Sequence, residues 1–351
     1  MTDSGKKVSR EGSIKTVLVT GGGGYVGAVL VPKLLAAGYR VRVLDWFIYG
    51  EDVFGKYGKD PKLTILRGDL RDRKSVEKAL KGADAVIHLA CISNDPSFEL
   101  DPALGRTVNY DATALLTDLS CDEGVTRFVF ASSSSVYGVK TESDVTEDLP
   151  LKPLTDYSKY KALSEEYILK KGSRDFTVLI LRPATVCGYS PRMRLDLTVN
   201  ILTINALINN RITVFGGSQL RPNIHIGDMT DLYVKTMEFP GEKIAGKIYN
   251  AGYENMKVLD IARMVKKVLG KRDIEISVKP TDDLRSYHIN SDKIRRELGF
   301  APRHTIREAI SDIKSAYESG KLPDPTTDIR YVNIKTMKAL SGKLAGKSGY
   351  A

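Results

Sequence analysis

The chain has 351 residues, 42% of them hydrophobic and 27% charged, enough to bury a core in one large α/β domain or two fused lobes. No apolar run approaches the roughly 20 residues that span a bilayer, and the polar segment Met1 to Gly12 lacks a signal-peptide core, so a cytoplasmic protein with no membrane partner is expected. The net charge of +10 would suit a nucleic-acid binder, yet residues 1–15 carry +2 of it and residues 321–351 carry +4, and no basic helix is interleaved with aromatics. No nucleic-acid partner is therefore expected, and the mildly basic body suits an anionic small molecule.

In chain order, short β-branched runs alternate with helical stretches, the pattern of a parallel sheet covered by helices on both faces. Strands are expected at Thr16–Thr20, Arg40–Asp45, Leu63–Arg67, Ala85–Leu89, Arg127–Ala131 and Thr177–Arg182, with helices near Tyr25–Ala37, Lys74–Lys81, Pro102–Glu123 and Tyr157–Lys171. This predicts a doubly wound α/β fold. From about Ser190 the alternation fades into a smaller mixed α/β lobe, with amphipathic helices near Leu259–Leu269, Asp292–Leu298 and Thr305–Glu318. The expected organisation is a dinucleotide-binding domain over 13–189, a substrate-binding lobe over 190–320 with segments able to return to the first domain, and an extension over 321–351. The Gly/Lys/Ser-rich end after Ser341 reads as a flexible tail.

Thr20-Gly21-Gly22-Gly23-Gly24-Tyr25-Val26-Gly27 follows the apolar strand Val17-Leu18-Val19 and opens a helix, the context that a dinucleotide fingerprint requires. Gly21 permits the tight turn, Gly24 lets a pyrophosphate approach the helix N-terminus, and Gly27 lets helix and strand pack closely. Tyr25 and Val26 then flank the bound cofactor. Asp45 ends the next strand about 20 residues on, where a carboxylate accepts from both adenosine ribose hydroxyls and repels a 2′-phosphate, favouring NAD over NADP. Asp69 and Leu70 follow the third strand near the adenine, although an Asp there also serves as a helix cap. Leu89 and Ala90 follow the fourth strand, and Trp46 borders the adenine or sits on the surface.

Tyr157 and Lys161 lie four apart on one helix and share a face. There Lys161 would lower the phenol pKa and make Tyr157 a usable base, with a serine from Ser132–Ser135 binding the same reacting oxygen. Cys91, Cys121 and Cys187 share no ligand spacing, and the four histidines form no metal set, so neither a disulfide nor a metal is expected. His88 and His225 read as structural.

These pieces, with His88-Leu89-Ala90, Asn109, Ser132–Gly138, Arg182-Pro183 and Arg221 to Asp228, resemble the extended short-chain dehydrogenase/reductase family, in its nucleotide-sugar epimerase, dehydratase and reductase branch. The resemblance runs from about Lys15 to Glu318 and implies a Rossmann sheet, NAD and a nucleotide-diphosphate sugar. It implies catalytic Ser133, Tyr157 and Lys161, and substrate contacts from Ser133, Ser134, Asn200, Arg221 and Arg285. It also implies a homodimer formed through the helices at Pro102–Glu123 and Tyr157–Lys171. Dehydratases of the family carry an Asp-Glu pair directly after the catalytic residue, where this chain has Ser134 and Ser135. The expectation is therefore a 4-epimerase or related C4 dehydrogenase working through a 4-keto sugar. A 4-keto-sugar reductase is the alternative, ahead of a 4,6-dehydratase or a nucleotide-binding protein without turnover. Cys187 stands near the substrate side where many relatives have Tyr, and packing is its plainer role. The tail from Pro323 to Ala351 extends past the usual end of the family's fold, and packing across a subunit interface is the role expected of it.

Overall fold

The structure is a computed structural model describing residues 13–281 and 286–345. Its centre is a seven-stranded parallel sheet in the order β10-β6-β5-β4-β1-β2-β3. The strands are β1 (Thr16–Thr20), β2 (Arg40–Asp45), β3 (Leu63–Arg67), β4 (Ala85–His88), β5 (Arg127–Ala131), β6 (Thr177–Pro183) and, after a long excursion, β10 (Lys247–Ala251). Side chains alternate across a strand, so Val17 and Val19 enter one core and Leu18 the other, all three fully buried. Burial on both faces explains why β1 reads as an unbroken apolar run, and each such side chain contributes about 1.5–3 kcal/mol.

The helices α1 (Gly27–Ala36), α2 (Arg73–Leu80), α3 (Asp95–Glu99), α4 (Pro102–Arg106), α5 (Ala112–Asp122) and α6 (Asp156–Lys171) cover the sheet. The long helix expected over Pro102–Glu123 is interrupted by one π turn at Thr107–Asp111. Within it, the side-chain amide of Asn109 pairs with both the N–H and the carbonyl of Ile92, while its backbone carbonyl accepts from Ser164 and Thr113. The turn thereby ties the loop after β4 to α6, a use of π turns common at functional sites.

Beyond β6 the chain builds a second lobe from β7 (Thr185–Cys187), α7 (Thr198–Asn209), β8 (Arg211–Phe215) and β9 (Leu220–His225), while α8 (Ile226–Lys235) and α9 (Gly241–Ile244) return to pack on α1 and the main sheet. After β10 the lobe gains β11 (Glu254–Lys257), α10 (Val258–Leu269), β12 (Glu275–Lys279) and α12 (Ile306–Glu318), and α11 (Asp292–Leu298) packs beside β10. Small sheets β11-β9-β7 and β12-β8 share a core with α7, α10 and α12. The extension continues into α13 (Asn333–Ala345), which takes in the start of the tail expected after Ser341; the rest of that tail lies outside the described residues. Helix α13 packs on its own chain: Met337 joins Ile92, Leu104 and Val108 in a cluster bordered by Trp46, Ile48 and Leu340. Among the described residues no helix is long and apolar enough to cross a membrane.

Candidate active site

Strand order reverses on either side of β1, and the carboxyl ends of β1 and β4 open there into a cavity of about 380 Å³, the place where doubly wound sheets bind ligands. Gly21 has φ +73°, and a Cβ on it would stand 2.6 Å from the Ala90 nitrogen. A Cβ on Gly27 would stand 2.4 Å from the Gly22 carbonyl oxygen, whereas one on Gly24 would meet only the Gly21 oxygen at 3.1 Å. Gly21 and Gly27 are thus fixed by close backbone approach, and Gly24 leaves open the space in front of the first N–H groups of α1, which have no partner within the helix. Asp45 accepts from Gly23 N at 2.9 Å and from Phe47 N at 2.6 Å, which holds its carboxylate at the cleft wall. Burial pushes its carboxyl above the usual range, opposed by those N–H groups and by the Arg192 charge. Tyr25, Val26, Trp46, Leu70, Leu89 and Ala90 complete this end. A cradle that any Cβ would fill beside a buried acceptor fits a dinucleotide.

At the other end, a capping box of Thr155 and Ser158 starts α6 and fixes the direction in which Tyr157 and Lys161 leave the helix. Both line the cavity. Lys161 is buried, donates to the Ala131 carbonyl at 2.6 Å and lies 4.7 Å from the Phe130 ring centroid. The Tyr157 phenol and Ser133 line the same end of the cavity, and Ser133 Oγ meets Ser135 Oγ at 2.8 Å. Burial pushes that phenol well up, helped by the nearby Cys91 and Asp95, while Arg194 and Ser133 pull it down. The bound nicotinamide cation would act in the same downward sense. Beneath the serine turn, Ser132 donates to Glu165, which forms a buried ion pair with Arg182 at 2.6 Å, and Arg182 also donates to Tyr137 at 2.8 Å. Glu165 sits one helical turn beyond Lys161, so this pair locks the serine turn to the catalytic helix.

Ser133 and Ser134 face the cavity as the sequence implied. Other expected contacts are placed differently. Asp69 is gripped by Arg71, with Nη2 to Oδ2 at 2.7 Å, while its neighbours Gly68 and Leu70 form the wall; the cap of α2 is Asp72. Asn200 is fully buried and its amide is consumed by Gly188 N, the Arg194 carbonyl and the Tyr25 hydroxyl, so it shapes the loop and presents nothing to the cleft. Arg221 lies off the cavity wall with its guanidinium 4.8 Å from the ring centroid of Tyr287, which does line it. Arg285 falls outside the described residues. Cys187 is buried and packs in the lobe core. His88 bridges Thr20 and Thr113, and burial pushes its pKa down to about 3, so it is a neutral structural residue. His225 is bonded to Asp312 and Gly227 and stacked on His304.

Sequence reasoning missed the opposite wall. Arg192 and Arg194 come from the loop between β7 and α7, and Tyr49 and Asn333 from two distant segments, and all four line the cavity. Arg192 lies 3.6 Å from the Tyr49 ring centroid and donates to Asn333 Oδ1 at 2.6 Å. Arg194 is paired with Asp196 at 2.9 Å. Two arginines one residue apart, in Pro191-Arg192-Met193-Arg194 of the loop after β7, were the available signal.

The family model for the NAD dependent epimerase/dehydratase family matches residues 17–252. A UDP-glucose 4-epimerase of Oryza sativa subsp. japonica is 28% identical over 86% of this chain and 89% of its own. Among solved structures, MoeE5 in complex with UDP-glucuronic acid and NAD is 28% identical with a TM-score of 0.76, covering 87% of this chain and 99% of that one. The dTDP-glucose 4,6-dehydratase DesIV of Streptomyces venezuelae, with NAD bound, is 25% identical with a TM-score of 0.79 over 88% of this chain and 99% of that one. With the glycine cradle, Asp45 and the Ser133/Tyr157/Lys161 set in one cleft, the chain belongs to the NAD-dependent epimerase/dehydratase family and is an enzyme that uses NAD.

Proposed function

We propose that the protein is a nucleotide-sugar 4-epimerase, acting on a diphosphate sugar through a 4-keto intermediate. The observation that carries this reading is the pairing of an intact Ser133/Tyr157/Lys161 set with hydroxyl side chains at Ser134 and Ser135, where elimination of water would call for an acid and a base. Among the described residues, the carboxylates of the cavity are Asp45 and Asp95, and Asp95 already accepts from Thr155 at 2.7 Å. The likeness to a UDP-glucose 4-epimerase supports the same reading.

NAD, when bound, supplies the hydride acceptor for C4. Tyr157 takes the proton of the C4 hydroxyl, and Ser133 holds that oxygen as it becomes a carbonyl. Lys161, with its ammonium fixed on Ala131, keeps a positive charge beside the phenolate and offers its remaining donors to the nicotinamide ribose. Tyr157 returns the proton once the sugar has turned and C4 has regained its hydride on the other face, so the epimerisation involves no net redox change. The family resemblance assigns Arg221 to the substrate diphosphate, and its stacking on the cavity residue Tyr287 supports that role. The working unit we propose is a homodimer through α4, α5 and α6, where Leu163 is 44% exposed; light scattering showing monomer alone would remove that part.

Incubation with UDP-, dTDP-, GDP- and CDP-hexoses, followed by chromatography and mass spectrometry, tests the reading. An isomer of unchanged mass, formed without added reductant, is the expected product. Loss of one water would make the protein a 4,6-dehydratase, and conversion only of an added 4-keto sugar, with stoichiometric NADH, would make it a 4-keto-sugar reductase.

A further inference from the structure

The extension beyond Leu322 serves the dinucleotide. We propose that residues 323–345 form a strap that locks the cofactor into its cleft, with Arg192 as the group it holds against the dinucleotide's diphosphate. The proposal rests on the NAD site and not on which reaction follows at the sugar.

The strap is anchored at three points. Tyr331 is buried in the lobe core and its carbonyl accepts from Leu195 N at 2.8 Å. Asn333 then works as a hub. Its backbone N–H donates to Asp196 at 3.1 Å, its side-chain NH₂ donates to Ser93 Oγ at 2.9 Å, and its Oδ1 accepts from Arg192. One turn further along α13, Met337 packs on Ile92, Leu104 and Val108, with Trp46 and Ile48 at the edge of the same cluster. The strap therefore touches the loop after β2, the loop after β4 and the loop after β7, three segments that surround the cavity, and Asn333 and Met337 themselves line it.

Arg192 identifies the ligand chemistry. It is 4% exposed, yet its Nε has no hydrogen-bond partner among the described residues. A buried donor on a cation costs stability unless a partner is supplied. Tyr49 stacks on one face of the guanidinium and Asn333 takes one Nη, so the fork is aimed rather than free to rotate. The cavity it lines also contains the glycine cradle and Asp45. A planar fork with an open N–H suits phosphate oxygens. With the strap in place, a dinucleotide held by the cradle and by Arg192 can leave only after the Asn333 hub opens. That is the behaviour an enzyme needs if it returns its own hydride every cycle.

The test compares the full chain, Asn333→Ala, Arg192→Met and a chain ending at Leu322. Bound NAD is quantified after denaturation, NADH release is followed by fluorescence on dilution into excess NAD, and circular dichroism checks folding. The full chain is expected to retain near-stoichiometric NAD, with release at least tenfold faster in each variant. If the shortened chain does not fold, the two single substitutions carry the test. Release unchanged in folded Asn333→Ala and Arg192→Met overturns the proposal. So does a calorimetric loss of UDP binding in Arg192→Met with NADH release unaltered, which would assign the arginine to the substrate. A full chain that holds NAD tightly but converts no sugar refutes the epimerase reading and leaves the strap standing.

Discussion

The wall of the cleft built on the main sheet and the wall built from the β7–α7 loop and the strap differ in the sequence distance their contacts span. On the sheet wall, Tyr157 and Lys161 are one helical turn apart, and Gly21 and Gly27 belong to a single turn between β1 and α1. On the closing wall, Arg192 meets Asn333 across 141 residues and Asn333 meets Ser93 across 240. Local contacts form with the element that carries them, whereas long-range polar contacts hold only while several segments stay docked. On the strap proposal, the chemistry sits mostly on locally built elements and cofactor retention on contacts that several segments must hold together.

The largest expected effect keeps the two walls apart. Tyr157→Phe removes the group that takes the C4 proton, and kcat should fall about 10²–10⁴-fold, the usual span for a lost general base. NADH release should stay at the parental rate, because nothing in the strap touches Tyr157 directly. Faster release in this variant would mean that the walls are one cooperative unit. Next comes the buried pair under the serine turn. Glu165→Leu leaves Arg182 without its partner in a dry site and should cost about 3–5 kcal/mol in urea unfolding. A cost below about 1 kcal/mol, the range of exposed pairs, would show that Tyr137 and water can satisfy Arg182 without it.

The same contrast decides what could be read from the amino-acid order. β1, β2, β3 and β5 stand where β-branched runs put them, and α6 where its periodicity puts it, because both faces of the sheet bury apolar residues at fixed spacing. The cofactor cradle was legible since the strand–turn–helix context by itself asks for Gly27 against Gly22 and for the positive φ of Gly21, although the backbone that presses on Gly21, at Ala90, is distant in sequence. The role of Asn200 was not, because an amide can aim at a ligand or at Gly188, and only the path of the following loop decides. Asp69 was ambiguous for a similar reason, with Arg71 two residues away claiming its carboxylate. The docking of the tail on its own chain was not legible, since a helix with few apolar residues carries no label for the surface it will cover. Arg285 lies outside the described residues, and its role rests on resemblance alone.

A subtler test lies where the walls meet. The Arg194 charge lowers the Tyr157 pKa, so Arg194→Met should raise it. The proton-accepting form would then appear at higher pH, and the rising limb of the kcat–pH profile should move to the alkaline side with NAD content unchanged. A profile that stays in place would mean that Asp196, bonded to Arg194 at 2.9 Å, already cancels its charge at the phenol.

The smallest effect belongs to Cys187, which the sequence put near the substrate. Its Sγ lies 3.5 Å from the Ile224 carbonyl, and burial, with Glu254 and Asp228 nearby, pushes the thiol far above its ordinary value. A thiol held neutral at every working pH is neither nucleophile nor base, because the thiolate is the reactive form. Cys187→Ala should therefore leave kcat/KM within about twofold and cost about 1 kcal/mol, a typical loss for one substitution. In the native parent, a thiol reagent should modify exposed Cys121 and reach Cys187 only on unfolding. Were Cys187→Ala to slow turnover tenfold while melting normally, the interior of the lobe would be communicating with C4 of the sugar. The division between a catalytic sheet wall and a merely enclosing opposite wall would then have to be given up.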